Sequence, residues 1–160
     1  MTAIKTLKDC PVFSALTGAE LEKVAGLATA KEYAAGGTIF KGQGRAEELL
    51  VLEEGKVALQ IDIPVNPPQP PKKVTVDMVG RNEVLGWSAF VEPDAYILTA
   101  VCLQNTRALS INSSKLRALM QQDCHLGYGL LSGLIKVANS RFHETIRVLV
   151  SERTFVPETT

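Results

Sequence analysis

A chain of 160 residues with 17 basic and 17 acidic side chains carries no formal net charge, so it offers no overall electrostatic footprint for nucleic acid or an anionic membrane. Its residues are 46% hydrophobic and 21% charged, a balance that suits one globular domain over 1–160. No apolar run approaches the roughly 20 residues that cross a bilayer, and MTAIKTLKDC lacks the apolar core of a signal peptide, so a cytoplasmic protein without a membrane segment is expected.

Residues 4–16 read as a short helix and a turn, because Pro11 lacks an amide and clashes with the preceding helical turn. Phe13 and Leu16 are candidate core residues. Thr17-Gly18-Ala19-Glu20 has the form of a capping box, and Leu21, Val24, Ala25 and Ala28 follow at helical spacing, which predicts a helix over 18–28. Residues 1–30 are therefore expected to be N-terminal helices.

From Lys31 the pattern changes to period two. Two short strands are expected up to Phe40, broken at Gly36-Gly37, with a turn at Lys41-Gly42-Gln43-Gly44. Glu48 to Leu52 reads as a strand and Glu54-Gly55 as a turn. In Lys56 to Ile63, Val57, Leu59, Ile61 and Ile63 alternate with Lys56, Ala58, Gln60 and Asp62, which predicts one buried face and one wet face. PVNPPQPP, residues 64–71, carries five prolines and reads first as a long hairpin loop, second as a docking ligand for a proline-reading module. Lys72 to Val79 returns as a strand with Val74, Val76 and Met78 on one face.

The stretch from Gly80 to Val101 is the best candidate binding site: glycine and small residues stand where a backbone can approach a ligand, and both flanks read as strands. Leu98–Leu103 and Thr106–Asn112 then flank a Gln104-Asn105 turn, closing a β region over 31–112. Asn112 or Ser113 caps a helix carrying Leu116, Leu119 and Met120. The longest helix is expected from His125 to Val150, with a tail over 151–160. Leu126, Leu130, Leu134 and Val137 form one apolar stripe, and Leu131, Ile135, Ala138, Phe142, Ile146 and Leu149 a second. A lone surface helix needs one stripe, so a homodimer through this helix is expected, with Leu130, Leu134, Val137, Phe142 and Ile146 as its candidate contacts. Gly129 and Gly133 weaken the helix. Either they admit the backbone of a partner or they fit the helix against its own domain.

Helices, about eight short strands and glycine turns in this order predict a mainly β chain: an antiparallel β-roll or jelly roll (a double-stranded β-helix) with N-terminal helices and a long C-terminal helix. Cys10, Cys102 and Cys124 are an odd count without close spacing, as reduced thiols would be. Asp123-Cys124-His125 places two ligand types side by side, but adjacent residues seldom converge on one ion, and no metal site is expected. The two histidines, His125 and His143, both fall on the terminal helix, and no nucleophile–base arrangement is visible, so an enzyme is not expected.

The order of elements resembles the cyclic-nucleotide-binding domain, the sensor half of the bacterial catabolite-activator family and of kinase regulatory subunits. The similarity rests on Phe13-Ser14-Ala15-Leu16 before a Thr-capped helix, on Gly37-Thr38-Ile39-Phe40-Lys41-Gly42-Gln43-Gly44, on Leu49 to Gly55 with Lys56-Val57, on Val79-Gly80 through Leu85-Gly86-Trp87, and on the final helix. In ligand-binding members the phosphate cassette reads Phe-Gly-Glu and then Pro-x-Arg-x-Ala. The resemblance implies that the glutamate binds the ribose hydroxyl and the arginine binds the cyclic phosphate. In this chain the first motif is Leu85-Gly86-Trp87, and the arginine position falls at Ile97, or at Tyr96 if the loop is shifted by one.

A cassette-like pocket is thus expected at Gly86, Trp87, Ser88, Ala89 and Phe90 on its outgoing side and at Ile97, Leu98 and Thr99 on its return. Trp87 either stacks on a ligand ring or fills the space of the missing carboxylate. The amides around Ser88-Ala89-Phe90 could cradle a small anion if they begin a helical turn. Charge-assisted hydrogen bonds are each worth about 1.5–3 kcal/mol, and isoleucine supplies none, so cyclic AMP or cyclic GMP is not expected in the usual pose. No cofactor is expected, and any ligand is a small molecule of unidentified kind. The resemblance implies a regulatory ligand-sensing module with altered or lost cyclic-nucleotide binding, signalling through its C-terminal helix to a separate protein partner. The alternative is a dimerisation scaffold with no ligand. The tail SERTFVPETT is too short for a helix-turn-helix, and direct DNA binding is not expected.

Overall fold

The computed structural model describes residues 2–153. Helix α1 (Ala3–Asp9) ends at Cys10, and Pro11–Phe13 continues as a 3₁₀ turn, which accommodates a proline at its first position. Helix α2 (Gly18–Ala25) opens on the predicted capping box. The Thr17 amide donates to Glu20 Oε2 at 2.7 Å, and the Glu20 amide donates to Thr17 Oγ1 at 3.3 Å. The helix stops three residues short of the expected Ala28. That residue instead begins strand β1 (Ala28–Tyr33), paired with Ile111.

Strands β2 (Thr38–Phe40), β3 (Glu48–Glu54), β4 (Val57–Ile63), β5 (Lys72–Val79), β6 (Val84–Leu85), β7 (Thr99–Cys102) and β8 (Thr106–Asn112) follow. They form two four-stranded antiparallel sheets, ordered β1-β8-β3-β6 and β2-β7-β4-β5. Helix α3 (Ser113–Gln122) is capped by Asn112, whose Oδ1 accepts from the Lys115 amide at 3.0 Å. Helix α4 runs Cys124–Arg153, three residues beyond the expected end, so Ser151–Arg153 are helical, whereas 154–160 lie outside the described residues. This is the predicted β-roll with N-terminal helices and a long C-terminal helix.

Strand β3 shows why the sheet is a middle layer. Leu49 and Val51 pack with the helices, in a core shared with Phe13, Leu116 and Leu126. Leu50 and Leu52 point the other way, into an inter-sheet core with Val57, Leu59 and Leu85. A strand covered on both faces reads as a continuous apolar run rather than an alternating one. The buried Glu53 that follows is held by Thr6 Oγ1, donating to Oε1 at 2.6 Å, and by Arg107 Nε, 2.7 Å from Oε2.

Strand β4 departs from its predicted alternation. Val57, Ala58 and Leu59 are all buried, whereas Ile61 and Ile63 are 38% and 43% exposed. The partner strand β7 reaches only as far as Gln60, so the outer half of the β4–β5 hairpin has nothing above it. A bulge opposite Leu59/Gln60 also breaks the shared face expected for Val74, Val76 and Met78, leaving Val76 without an opposite residue and Met78 exposed. Residues 64–71 form the hairpin connection between β4 and β5.

The inner stripe of α4 packs on its own domain: Leu126, Leu130 and Leu134 are buried, and Val137 lies against the same core. Leu130 and Leu134 are therefore not on a face open to a partner, which corrects their place among the expected dimer contacts. Leu131, Ile135, Phe142 and Ile146 are exposed, as the second stripe. The side chain of Leu149 lies outside the described residues. Of the two readings of Gly129 and Gly133, the chain's own packing decides. A Cβ on Gly129 would press on Leu16 and Ala15, and one on Gly133 would overlap the Val12 carbonyl. At the root of α4, His125 Nδ1 lies 2.6 Å from Glu20 Oε1, and Lys23 Nζ lies 2.8 Å from Asp123 Oδ2. Among the described residues, no group of His, Cys, Asp and Glu is placed to hold a metal ion, and no helix is long and apolar enough to cross a membrane.

Candidate functional site

Strand β6 delivers the chain into the cassette at Gly86, whose φ of +83° and contact with β3 admit only glycine; a Cβ there would lie 2.5 Å from the Glu48 carbonyl oxygen. Trp87–Phe90 then makes a single 3₁₀ turn, with the Ala89 amide spent on the Gly86 carbonyl at 3.1 Å. The return path is stitched to the glycine turn after β2. The Tyr96 amide donates to the Gly44 carbonyl at 2.9 Å, and the Gln43 amide to the Tyr96 carbonyl at 2.8 Å. Thr99 Oγ1 accepts from the Gly42 amide at 2.9 Å.

Tyr96 and Ile97, the two candidate positions for the family's arginine, part company here. The Tyr96 ring turns inward and stacks on Phe40 with centroids 3.8 Å apart and planes 9° from parallel. Its hydroxyl donates to the Glu48 carbonyl at 3.4 Å, and burial pushes its ionisation upward. Ile97 is 65% exposed and stands at the mouth of a cavity.

That cavity measures about 290 Å³, near the lower end of the roughly 300–1,000 Å³ of ligand pockets. Gly86, Trp87 and Ser88 line one side, and Ile97 and Leu98 the other, so five of the eight predicted pocket residues converge. Three do not line it. Ala89 is buried with Ala46 and Tyr96, Phe90 faces a separate hollow, and Thr99 is occupied in holding Gly42. The sheet supplies Phe40 and Leu59, which sequence reasoning did not single out. Trp87 does not fill the cavity. It stands between this space and an apolar hollow of about 340 Å³ facing Leu131, Leu134 and Ile135.

The wall opposite the cassette comes from β5 and α4: Val76, Asp77, Arg141, Glu144 and Thr145. Arg141 Nε lies 2.9 Å from Asp77 Oδ2, and its Nη2 donates to the Val84 carbonyl at 2.8 Å. Burial draws the arginine's pKa below its ordinary value, while Asp77 and Glu83 oppose that shift. From Asn139 onward, Arg141 is the one side chain of α4 that is not exposed, among the described residues. The outer helix is thus fastened to its domain at the edge of the cavity. Its sequence signal was available, since Arg141 continues the inner stripe four residues after Val137. A second arginine clamps the cassette from α3: Arg117 Nη2 donates to the Ala89 carbonyl at 2.5 Å and lies 3.2 Å from Asp94 Oδ1.

A β-roll carrying a short helical cassette, a glycine-fixed turn and a long C-terminal helix over one cavity defines a class of small-ligand regulatory domain. The sequence agrees: the cyclic nucleotide-binding domain model matches residues 30–123, and the chain belongs to that family. A search of curated proteins finds no match. Among solved structures, a candidate cyclic nucleotide-binding protein from Geobacter metallireducens GS-15 is 26% identical, with a TM-score of 0.76 over 89% of this chain and 100% of that one. A cyclic nucleotide-binding domain from Methylobacillus flagellatus KT is 16% identical, with a TM-score of 0.79 over 99% of this chain and 85% of that one. The regulatory subunit of a cAMP-independent protein kinase A from Trypanosoma brucei, as a mutant bound to cAMP in its A site, is 20% identical, with a TM-score of 0.69 over 86% of this chain and 46% of that one. Domains of this family are regulatory rather than catalytic.

Proposed function

We propose that this chain is a ligand-sensing regulatory module whose cavity does not take cyclic AMP or cyclic GMP in the usual pose, and that it passes the state of that cavity to a partner through α4. The observation that carries this reading is the shared wall. The cassette and α4 line one cavity, and Arg141 joins α4 to both β5 and the start of β6 beside it. A ligand seated between Trp87 and Arg141 changes the contacts that hold the outer helix. It can shift the helix only by as much as it prefers one arrangement over the other.

The altered specificity rests on charge. The cassette brings Trp87 and Ile97 to the cavity in place of a carboxylate and a guanidinium.

A melting-temperature screen of small molecules, cyclic AMP and cyclic GMP included, tests the reading. A compound at 100 times its Kd stabilises the native state by about 2.7 kcal/mol, so a ligand should appear as a concentration-dependent rise in Tm. If no compound raises Tm, the second reading gains: a scaffold that dimerises without a ligand. That reading is favoured by the open apolar stripe of α4, where Ile135 and Phe142 are 69% and 64% exposed.

A further inference from the structure

We infer that the cavity takes a small apolar ring compound that bears no anionic group. The inference rests on the ligand-site reading above and adds the chemical class. Three charged side chains line the cavity, Arg141, Asp77 and Glu144, and together they carry one net negative charge. The single cation among them is already engaged. Arg141 gives Nε to Asp77 and Nη2 to the Val84 carbonyl.

An entering anion therefore meets the Asp77 carboxylate beside the only guanidinium. Drawing Arg141 away would leave a half-buried carboxylate without its counter-charge, which is costlier than leaving the pair intact. The Asp77 carboxylate is also oriented by its neighbour, since its Oδ1 accepts from the Met78 amide at 2.8 Å. Glu144 adds a second carboxylate at the rim, partly offset by the exposed Arg147 guanidinium, whose Nη1 lies 3.0 Å from its Oε1.

The remaining surface suits a ring. Leu59, Ile97 and Leu98 are aliphatic, Phe40 and Tyr96 present a stacked pair, and the Trp87 indole offers a further flat face. Ser88, a residue with a neutral hydroxyl, lines the cassette side.

The test uses paired ring compounds, each as its primary amide and as the nearly isosteric carboxylate, titrated into the full chain. The readout is the indole N–H resonance of Trp87, the single tryptophan of the sequence. Amides should shift that resonance saturably and bind roughly tenfold or more tightly than their carboxylates. In Asp77→Asn, and in Glu144→Gln, which leaves the buried pair intact, the difference should narrow to about threefold or less. Carboxylates that bind wild type as tightly as the amides would overturn the inference and leave the ligand site standing. No saturable shift from any member would overturn the ligand-site reading and the inference with it.

Discussion

Gly133 shows how little room the longest helix has. Alanine would add helix propensity worth about 1 kcal/mol, but its methyl would overlap the Val12 carbonyl, where backbone meets backbone and neither side can rotate away. Overpacking of this kind costs about 1–3 kcal/mol or more. Gly133→Ala should therefore lower the urea midpoint despite the better propensity, and an unchanged midpoint would contradict the close fit. Glu20 and Asp123 join α2 to α4. The Thr17 amide chiefly, and His125 after it, hold the Glu20 pKa below its usual range; the Lys23 ammonium does the same for Asp123. A carboxylate whose folded pKa is depressed contributes stability that is full above its unfolded pKa, near 4, and that is lost as the pH falls through the folded value. Denaturant midpoints should thus fall below about pH 4, and fall less steeply in Glu20→Gln. The capping box was legible because its partners are three residues apart. The Glu20–His125 pair spans 105 residues, and nothing local announces it.

At the scale of elements, most of what could be read locally was read, the place of Arg141 on the inner stripe of α4 excepted, and what depended on neighbours was not. Glycine turns and apolar runs located most of the strands, and the inner stripe of α4 was legible as a stripe, although Leu130, Leu134 and Val137 were expected at a dimer contact and pack on their own domain instead. The alternation in β4 misled because β7 covers only half of it, and the face of Val76 was lost to a bulge that no residue type marks. The cassette was legible in outline from Gly86, yet its far wall was not, since Asp77 and Arg141 lie 64 positions apart and meet only through the fold. Arg141 is the tether of outer α4, beyond the packed Leu126–Leu134 segment. Arg141→Gln should speed amide exchange from Asn139 onward by about tenfold, or about 1.4 kcal/mol of local opening. The urea midpoint should fall as well, because Asp77 loses its counter-charge. Unchanged exchange would remove Arg141 from the proposed coupling.

For the whole molecule, the family model over residues 30–123 places the chain in its family and the sheet order agrees with it, while the surface of α4 bears on assembly. Phe142→Glu should lower the mass measured by light scattering if the open stripe joins two copies. A wild type that is already a monomer would refute that assembly. The altered cassette bears on ligand choice. It was legible in the sequence as Trp87 and Ile97, and the structure brings both to one cavity without filling it. Losing a guanidinium fork removes charge-assisted bonds of about 1.5–3 kcal/mol each, each worth roughly tenfold or more in affinity. Calorimetric titration of the full chain with cyclic AMP, alongside Trp87→Glu/Ile97→Arg, tests this most directly. Wild type should give no saturable heat below about millimolar nucleotide, and the double variant should bind measurably. Micromolar binding by wild type would contradict it.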